Sequence, residues 1–169
     1  MRSFRILACS VLLSLSFVGL GKVVEIKNNK IIQQLKKQVE LELESAYLYE
    51  ARAHYSQNQG LKGATSWFKK QAQEEREHAD RVMEHLRDAD INLDALPSIK
   101  SVSAKFKNLK ECFTTALERE EELSHHIKST LLFAREHKDL YTEVLMNEFV
   151  KEQIEEEKLF KDHPGSTNN

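Results

Sequence analysis

Cysteine, proline and glycine are all scarce in this chain, and each shortage removes a class of fold. Two cysteines in 169 residues cannot build a disulfide framework. Two prolines and five glycines cannot supply the turns of a many-stranded β protein. A large charge of one sign is missing as well. The formal net charge is -2, so the basic footprint of a nucleic-acid binder is absent. Long apolar runs are missing except near the start, where Ile6 to Val18 is too short for a stable membrane span. What is abundant is charge of both signs, at 31% of residues. Few helix breakers and many charges favour long amphipathic helices, and the length favours one domain with a substantial core.

Residues 1–21 differ in kind from the rest. Arg2 and Arg5 precede the apolar run, and Gly19-Leu20-Gly21 follows it. A basic start, a short apolar centre and small residues near a cut site read as an export signal. The expected organisation is a leader at 1–21, a helical domain at 22–163 and a short disordered tail at 164–169. On this reading the protein is exported through the secretory route, to a periplasm in a bacterium. The alternative is a start-site artefact, in which a chain beginning near Val23 or Val24 is cytoplasmic. Cys9 follows Leu7-Ala8 as a lipoprotein cysteine would, but the apolar segment before it is too short. Cys112 reads as a small residue beside a helix core.

Four segments carry helical periodicity. The first runs from about Asn28 to Gln57, with Ile32, Leu35, Val39, Glu42, Ala46, Tyr49 and Ala53 on one face. Gly60 and Gly63 mark a short turn. The second runs from about Leu61 to Ala89, with Leu61, Ala64, Phe68, Gln71, Glu75, His78, Val82 and Leu86. The third runs from about Ala104 to His137, with Phe106, Leu109, Phe113, Ala116, Glu120, Leu123, Ile127, Thr130 and Ala134. After a tight break at Lys138-Asp139, the fourth runs from about Leu140 to Asp162, with Leu145, Phe149, Gln153, Glu156 and Phe160. His163-Pro164-Gly165 ends it.

The connections set the topology. Short turns make two antiparallel pairs. The stretch from Asp90 to Ser103 joins them and reaches roughly 46–50 Å when extended. The second segment is roughly 43 Å long as a helix. The link therefore runs the length of the bundle, and the expected fold is all-α: an up-down-down-up four-helix bundle with one long crossover.

Each stripe carries a polar residue near its middle. Glu75 and His78 stand three residues apart in Gln71-Ala72-Gln73-Glu74-Glu75-Arg76-Glu77-His78, on one helix face. Glu42, Glu120 and Gln153 with Glu156 fall at similar depths on the other helices. A buried charge needs a partner, and four helices placing ligand types at one level point to a bound divalent cation. Oxygen donors with one imidazole suit iron and similar metals better than thiolate-loving ones. Di-iron bundles use one Glu from each of two helices and Glu-x-x-His from each of the others. Here Gln153-x-x-Glu156 replaces the second Glu-x-x-His. The expected arrangement has Glu75 bridging, Glu42 and His78 on one metal, and Glu120 with the weaker Gln153 on the other. Tyr49, two turns beyond Glu42, is either an electron or proton donor or a core tyrosine with a bonded hydroxyl. His125 and His126 lie off the stripe and are expected in solvent. Glu155 and Glu157 extend a charged face. Trp67 is expected in packing at a helix surface or subunit contact.

Three separated motifs resemble the non-haem ferritins of bacterial type. They are Leu41-Glu42-Leu43-Glu44-Ser45-Ala46-Tyr47-Leu48-Tyr49, Glu74-Glu75-Arg76-Glu77-His78-Ala79 and Glu152-Gln153-Ile154-Glu155-Glu156-Glu157-Lys158-Leu159-Phe160. The similarity covers about residues 26–162. It implies a ferroxidase centre with Glu42, Glu75 and His78 at the first iron, and Glu75, Glu120 and Gln153 at the second. Tyr49 matches the family's nearby tyrosine. Glu74, Glu152, Glu155 and Glu156 resemble the third iron site of bacterial members. Haem-binding relatives have a methionine where Arg76 stands, so no haem is expected. The implied activity is oxidation of Fe(II) by dioxygen or hydrogen peroxide, with ferric mineral stored in a hollow 24-subunit shell. The usual fifth short helix is expected to be lacking, since seven residues follow Asp162. Competing readings are an iron-sequestering subunit with little catalysis, a non-storage di-iron oxidase, and a helical bundle without metal.

Overall fold

Asn28 starts the first helix by accepting the Lys30 amide on its side-chain oxygen at 2.9 Å, which satisfies one of the donors that a helix start leaves unpaired. The computed structural model describes residues 25–162, so the expectations about the leader, the tail and the fifth helix lie outside the described residues. Within them the chain forms α1 (Asn29–Asn58), α2 (Lys62–Asp88), α3 (Leu109–Glu136) and α4 (Leu140–Asp162). The first three helices end alike. A residue in left-handed backbone follows each, Gly60 at φ 71°, Asp90 at φ 57° and Lys138 at φ 58°. The next amide then turns back to a late carbonyl: Leu61 to Ser56, Ile91 to Leu86 and Asp139 to Ala134, each at 2.9 Å. Asp139 then opens α4, accepting from the Thr142 amide at 3.1 Å.

The third helix begins later than periodicity suggests. Asn108 caps it, accepting the Glu111 amide at 2.9 Å, so residues 104–108 belong to the crossover. Phe106 has the spacing of a helical core position but packs edge-on against Tyr55, with centroids 5.5 Å apart. The crossover therefore spans residues 89–108, longer than Asp90 to Ser103.

Contacts between helices fix the directions. Going up α3, Arg52 meets Cys112, Ser45 meets Arg119 and Gln34 meets His126, so α1 and α3 are antiparallel. Going up α2, Gln71 meets Glu156, Arg81 meets Glu152 and His85 meets Thr142, so α2 and α4 are antiparallel too. With short turns inside each pair, this is the expected up-down-down-up bundle.

The core is split in two. One apolar cluster joins Ile31, Leu35, Val39, Val82, Leu86, Leu123, Ile127, Met146 and Phe149. The other joins Tyr49, Ala53, Phe68, Ala72, Cys112, Phe113, Ala116 and Phe160. The polar layer lies between them in sequence on every helix. Several stripe positions shift at the ends. Ile31 is fully buried and Ile32 only partly, while Leu61 is 37% exposed. His126 is half-buried rather than in solvent, because its Nε2 meets the Gln34 carbonyl at 3.0 Å. Glu157 is half-buried and accepts the Ser124 hydroxyl at 2.6 Å, so it is not simply part of a charged face. Trp67 packs edge-on against Phe68 and Phe160, each at 5.0 Å.

Candidate metal centre

Helical spacing brings the polar residues to one level, and the bundle then closes over them. Glu42 from α1, and Glu75 with His78 from α2, each offer one ligand atom, all within 4.8 Å of one another. Both carboxylates are 1% exposed. His78 is partly buried, with its Nδ1 3.8 Å from Glu75 Oε2 and its Nε2 3.7 Å from Glu152 Oε2. Its ring meets the Phe149 ring edge-on at 5.5 Å, which fixes the plane of the imidazole.

Glu120 lies at the same level on α3 and is fully buried. Its Oε1 accepts the Tyr49 hydroxyl, and its Oε2 accepts Gln153 Nε2 at 2.8 Å. Gln153 also donates to the Glu120 backbone carbonyl at 3.1 Å. All six expected site residues, Glu42, Tyr49, Glu75, His78, Glu120 and Gln153, therefore meet in the same layer. They split into an open trio and a hydrogen-bonded trio.

The electrostatics are those of an unbalanced anionic pocket. Burial pushes the Glu42 carboxyl well above the usual range, and the charge on Glu75 adds to this. Burial raises Glu75 likewise, with Glu120 as the next cause. Burial raises Glu120, opposed by the bonds from Tyr49 and Gln153. Burial and then Glu120 raise the Tyr49 phenol. Glu42 Oε2 and Glu75 Oε2 are buried with no hydrogen-bond partner. Buried carboxyl oxygens that find no donor beyond each other suit a cation, which would take the place of the proton they share. The donor set of two carboxylates and one imidazole fits iron.

A second acidic group opens beside the first. Glu74, Glu77, His78, Arg81, Glu152, Glu155 and Glu156 line a cavity of about 290 Å³. All four residues matched to a third site, Glu74, Glu152, Glu155 and Glu156, are in it. Glu156 is raised to about 7 by burial, then by Glu120 and Glu74. Gln71, 1% exposed, ties the group together by donating to Glu74 at 2.8 Å and Glu156 at 3.3 Å. Arg81 also enters, with its Nη1 2.8 and 2.7 Å from the two oxygens of Glu152.

Sequence reasoning passed over three residues that shape the centre. Gln38, fully buried, donates to Glu42 Oε1 at 2.6 Å. The signal was its place four residues before Glu42, on the same face. Arg119 ties α3 to α1, donating to Ser45 Oγ at 2.7 Å and the Leu41 carbonyl at 2.6 Å. Arg81 was the third. Neither arginine's cross-helix ties had a signal, since the partners in those ties sit on other helices.

Comparison with known proteins agrees with this geometry. Residues 32–168 match the ferritin-like domain. A bacterial non-haem ferritin of Escherichia coli O6:H1 is 31% identical over 132 residues, covering 78% of this chain and 79% of that protein. One from Staphylococcus aureus strain USA300 is 27% identical over 136 residues, covering 80% and 81%. An open-pore ferritin from the hyperthermophilic archaeon Archaeoglobus fulgidus superposes with a TM-score of 0.77 at 28% identity, over 80% of this chain and 82% of that one. Matched to the family over most of its length, this chain belongs to the ferritins and is of their non-haem, bacterial type.

Proposed function

We propose that this ferritin is a ferroxidase, taking Fe(II) as substrate at a di-iron centre inside each subunit. Glu42, Glu75 and His78 hold the first ion, and Glu75, Glu120 and Gln153 the second. Carboxylates favour Fe(III) over Fe(II), so the donor set eases oxidation. Two ions side by side give up two electrons together. That takes dioxygen to hydrogen peroxide, or hydrogen peroxide to water, with protons from solvent. The ferric product leaves for storage as mineral within a shell of many copies. Glu74, Glu152, Glu155 and Glu156 form a third iron position on the way, beside the first.

The observation that supports this reading is the ready trio, with carboxylate oxygens buried and unpartnered in front of an imidazole. Oxygen uptake on addition of Fe(II) tests it. Glu75→Ala is expected to lower the rate by at least tenfold while the helical circular dichroism stays. An unchanged rate sinks the assignment. One observation favours the iron-sequestering reading: Tyr49 and Gln153 each donate to Glu120, which draws off part of that carboxylate's donor strength. Iron binding without oxygen uptake in the wild-type protein selects that reading. We also propose export through the N-terminal signal, which cell fractionation tests; a protein confined to the cytoplasm sinks it.

A further inference from the structure

His78 lies between two carboxylates, one on each side of its ring. Its Nδ1 is 3.8 Å from Glu75 Oε2, and its Nε2 is 3.7 Å from Glu152 Oε2. The Glu75 side is the one shared with Glu42, where three ligand atoms gather. A neutral imidazole carries one lone pair and one proton on its two nitrogens. To ligate an ion beside Glu75, it must offer the lone pair on Nδ1 and keep the proton on Nε2. Glu75 draws that proton the wrong way, toward Nδ1. Glu152 is the acceptor on the opposite flank.

Glu152 comes from α4, whereas His78 is on α2. Arg81, about one turn beyond His78, holds both oxygens of Glu152 from Nη1, at 2.8 and 2.7 Å. Its Nη2 reaches Glu148 Oε2 at 3.2 Å. The guanidinium lies over the Phe149 ring at 4.6 Å, and His78 meets that same ring edge-on at 5.5 Å. Phe149 is buried, so one fixed ring sets the places of both side chains. Arg81 does not exhaust Glu152. An ionised carboxylate has about four lone-pair directions, and two serve the arginine. One remains for the imidazole and one for an ion in the third position.

We propose that Glu152 is a positioning residue for His78, held in place by Arg81, and that it turns the Nδ1 lone pair toward the first iron position by accepting the Nε2 proton. This inference rests on the di-iron reading, and goes beyond it by joining Glu152 to the first position through the imidazole. An ion on Nδ1 makes the Nε2–H a stronger donor. The 3.7 Å gap then closes to hydrogen-bond length, about 2.9 Å.

A crystal structure of the Zn(II)-loaded protein, and titration of the apo-protein with Co(II) followed by visible absorption, test this. Zn(II) is expected on Nδ1, with Nε2 within about 3.2 Å of Glu152. Zn(II) on Nε2 overturns the proposal. Glu152→Ala is expected to weaken Co(II) at His78 by about tenfold or more and to change its absorption band. Arg81→Gln, which frees Glu152 without removing it, is expected to move both readouts the same way. Glu152→Gln keeps an acceptor oxygen and is expected to restore most of the affinity. A glutamine variant no better than the alanine one overturns the proposal. Glu155→Ala takes a carboxylate from the third position only, and is expected to leave the band at His78 as in the wild type. An equal loss in Glu155→Ala traces the effect to the third position and overturns the orienting role, as does an unchanged band in Glu152→Ala. Binding of neither ion at His78 sinks the di-iron reading itself, and the orienting role with it.

Discussion

Glu42, Glu75 and Glu120 are held in the fold with their carboxyls raised above ordinary values, chiefly by burial, and Glu156 is raised to about 7. A raised carboxyl binds its proton more tightly in the folded state. Its stabilising effect is complete at low pH and is lost as pH rises through the folded value. The apo-protein is therefore expected to melt at a lower temperature at pH 8.5 than at pH 7, as scanning calorimetry can show. His85 and His126 act at the other end. Burial lowers both, so their effect is to weaken the fold as pH drops below roughly 6.5. A saturating divalent cation supplies the missing charge and is expected to flatten the fall between pH 7 and 8.5. A fall that persists with metal bound speaks against these carboxylates as its source. Among single residues, the sequence made Glu42, Glu75 and Gln153 legible and Gln38 not. Glu42 and Glu75 stand out in apolar stripes, whereas Gln38 beside Val39 looks like an ordinary edge residue until its bond to Glu42 is seen.

At the scale of elements, the helices were legible because each keeps one face apolar over many turns. Their ends were legible where glycines or a short break interrupt the stripe, as at Gly60 and at Lys138-Asp139. The start of α3 was not. Phe106 and Leu109 keep a spacing of three, which periodicity cannot tell from a helix, but the Asn108 cap places the boundary between them. Asn108→Ala is expected to cost about 1 kcal/mol of stability and to fray the first turn of α3. Urea unfolding measures the first, and amide hydrogen exchange at Lys110 and Glu111 the second. No loss in either places the boundary elsewhere. Cross-helix ties were the least legible. Arg119 reaches Ser45 and Leu41, and Arg81 reaches Glu148 and Glu152, and no rule of local spacing links residues so far apart.

For the whole molecule, the bundle leaves apolar residues outside. Leu132 is 62% exposed, Leu140 66% and Val144 60%, all near the α3–α4 connection in sequence. Exposed apolar side chains at one end of a bundle are suited to contact with another copy. Leu140→Glu combined with Val144→Glu is expected to shift native mass toward smaller species while leaving helix content unchanged. A mass equal to that of the wild type shows that the assembly does not use this end. The topology was readable from connection lengths alone, since only the link between the second and third helices is long enough to run the length of the bundle. How copies pack was not, because symmetry depends on surfaces whose partners lie in another chain.

Cys112 carries one more consequence. It is fully enclosed, and its thiol is pushed up to about 11, first of all by burial. A thiolate is the reactive form, so an alkylating reagent meets an inert sulfur while the helices are together. Labelling of that residue, followed by peptide mass, is a built-in clock for how often the protein opens.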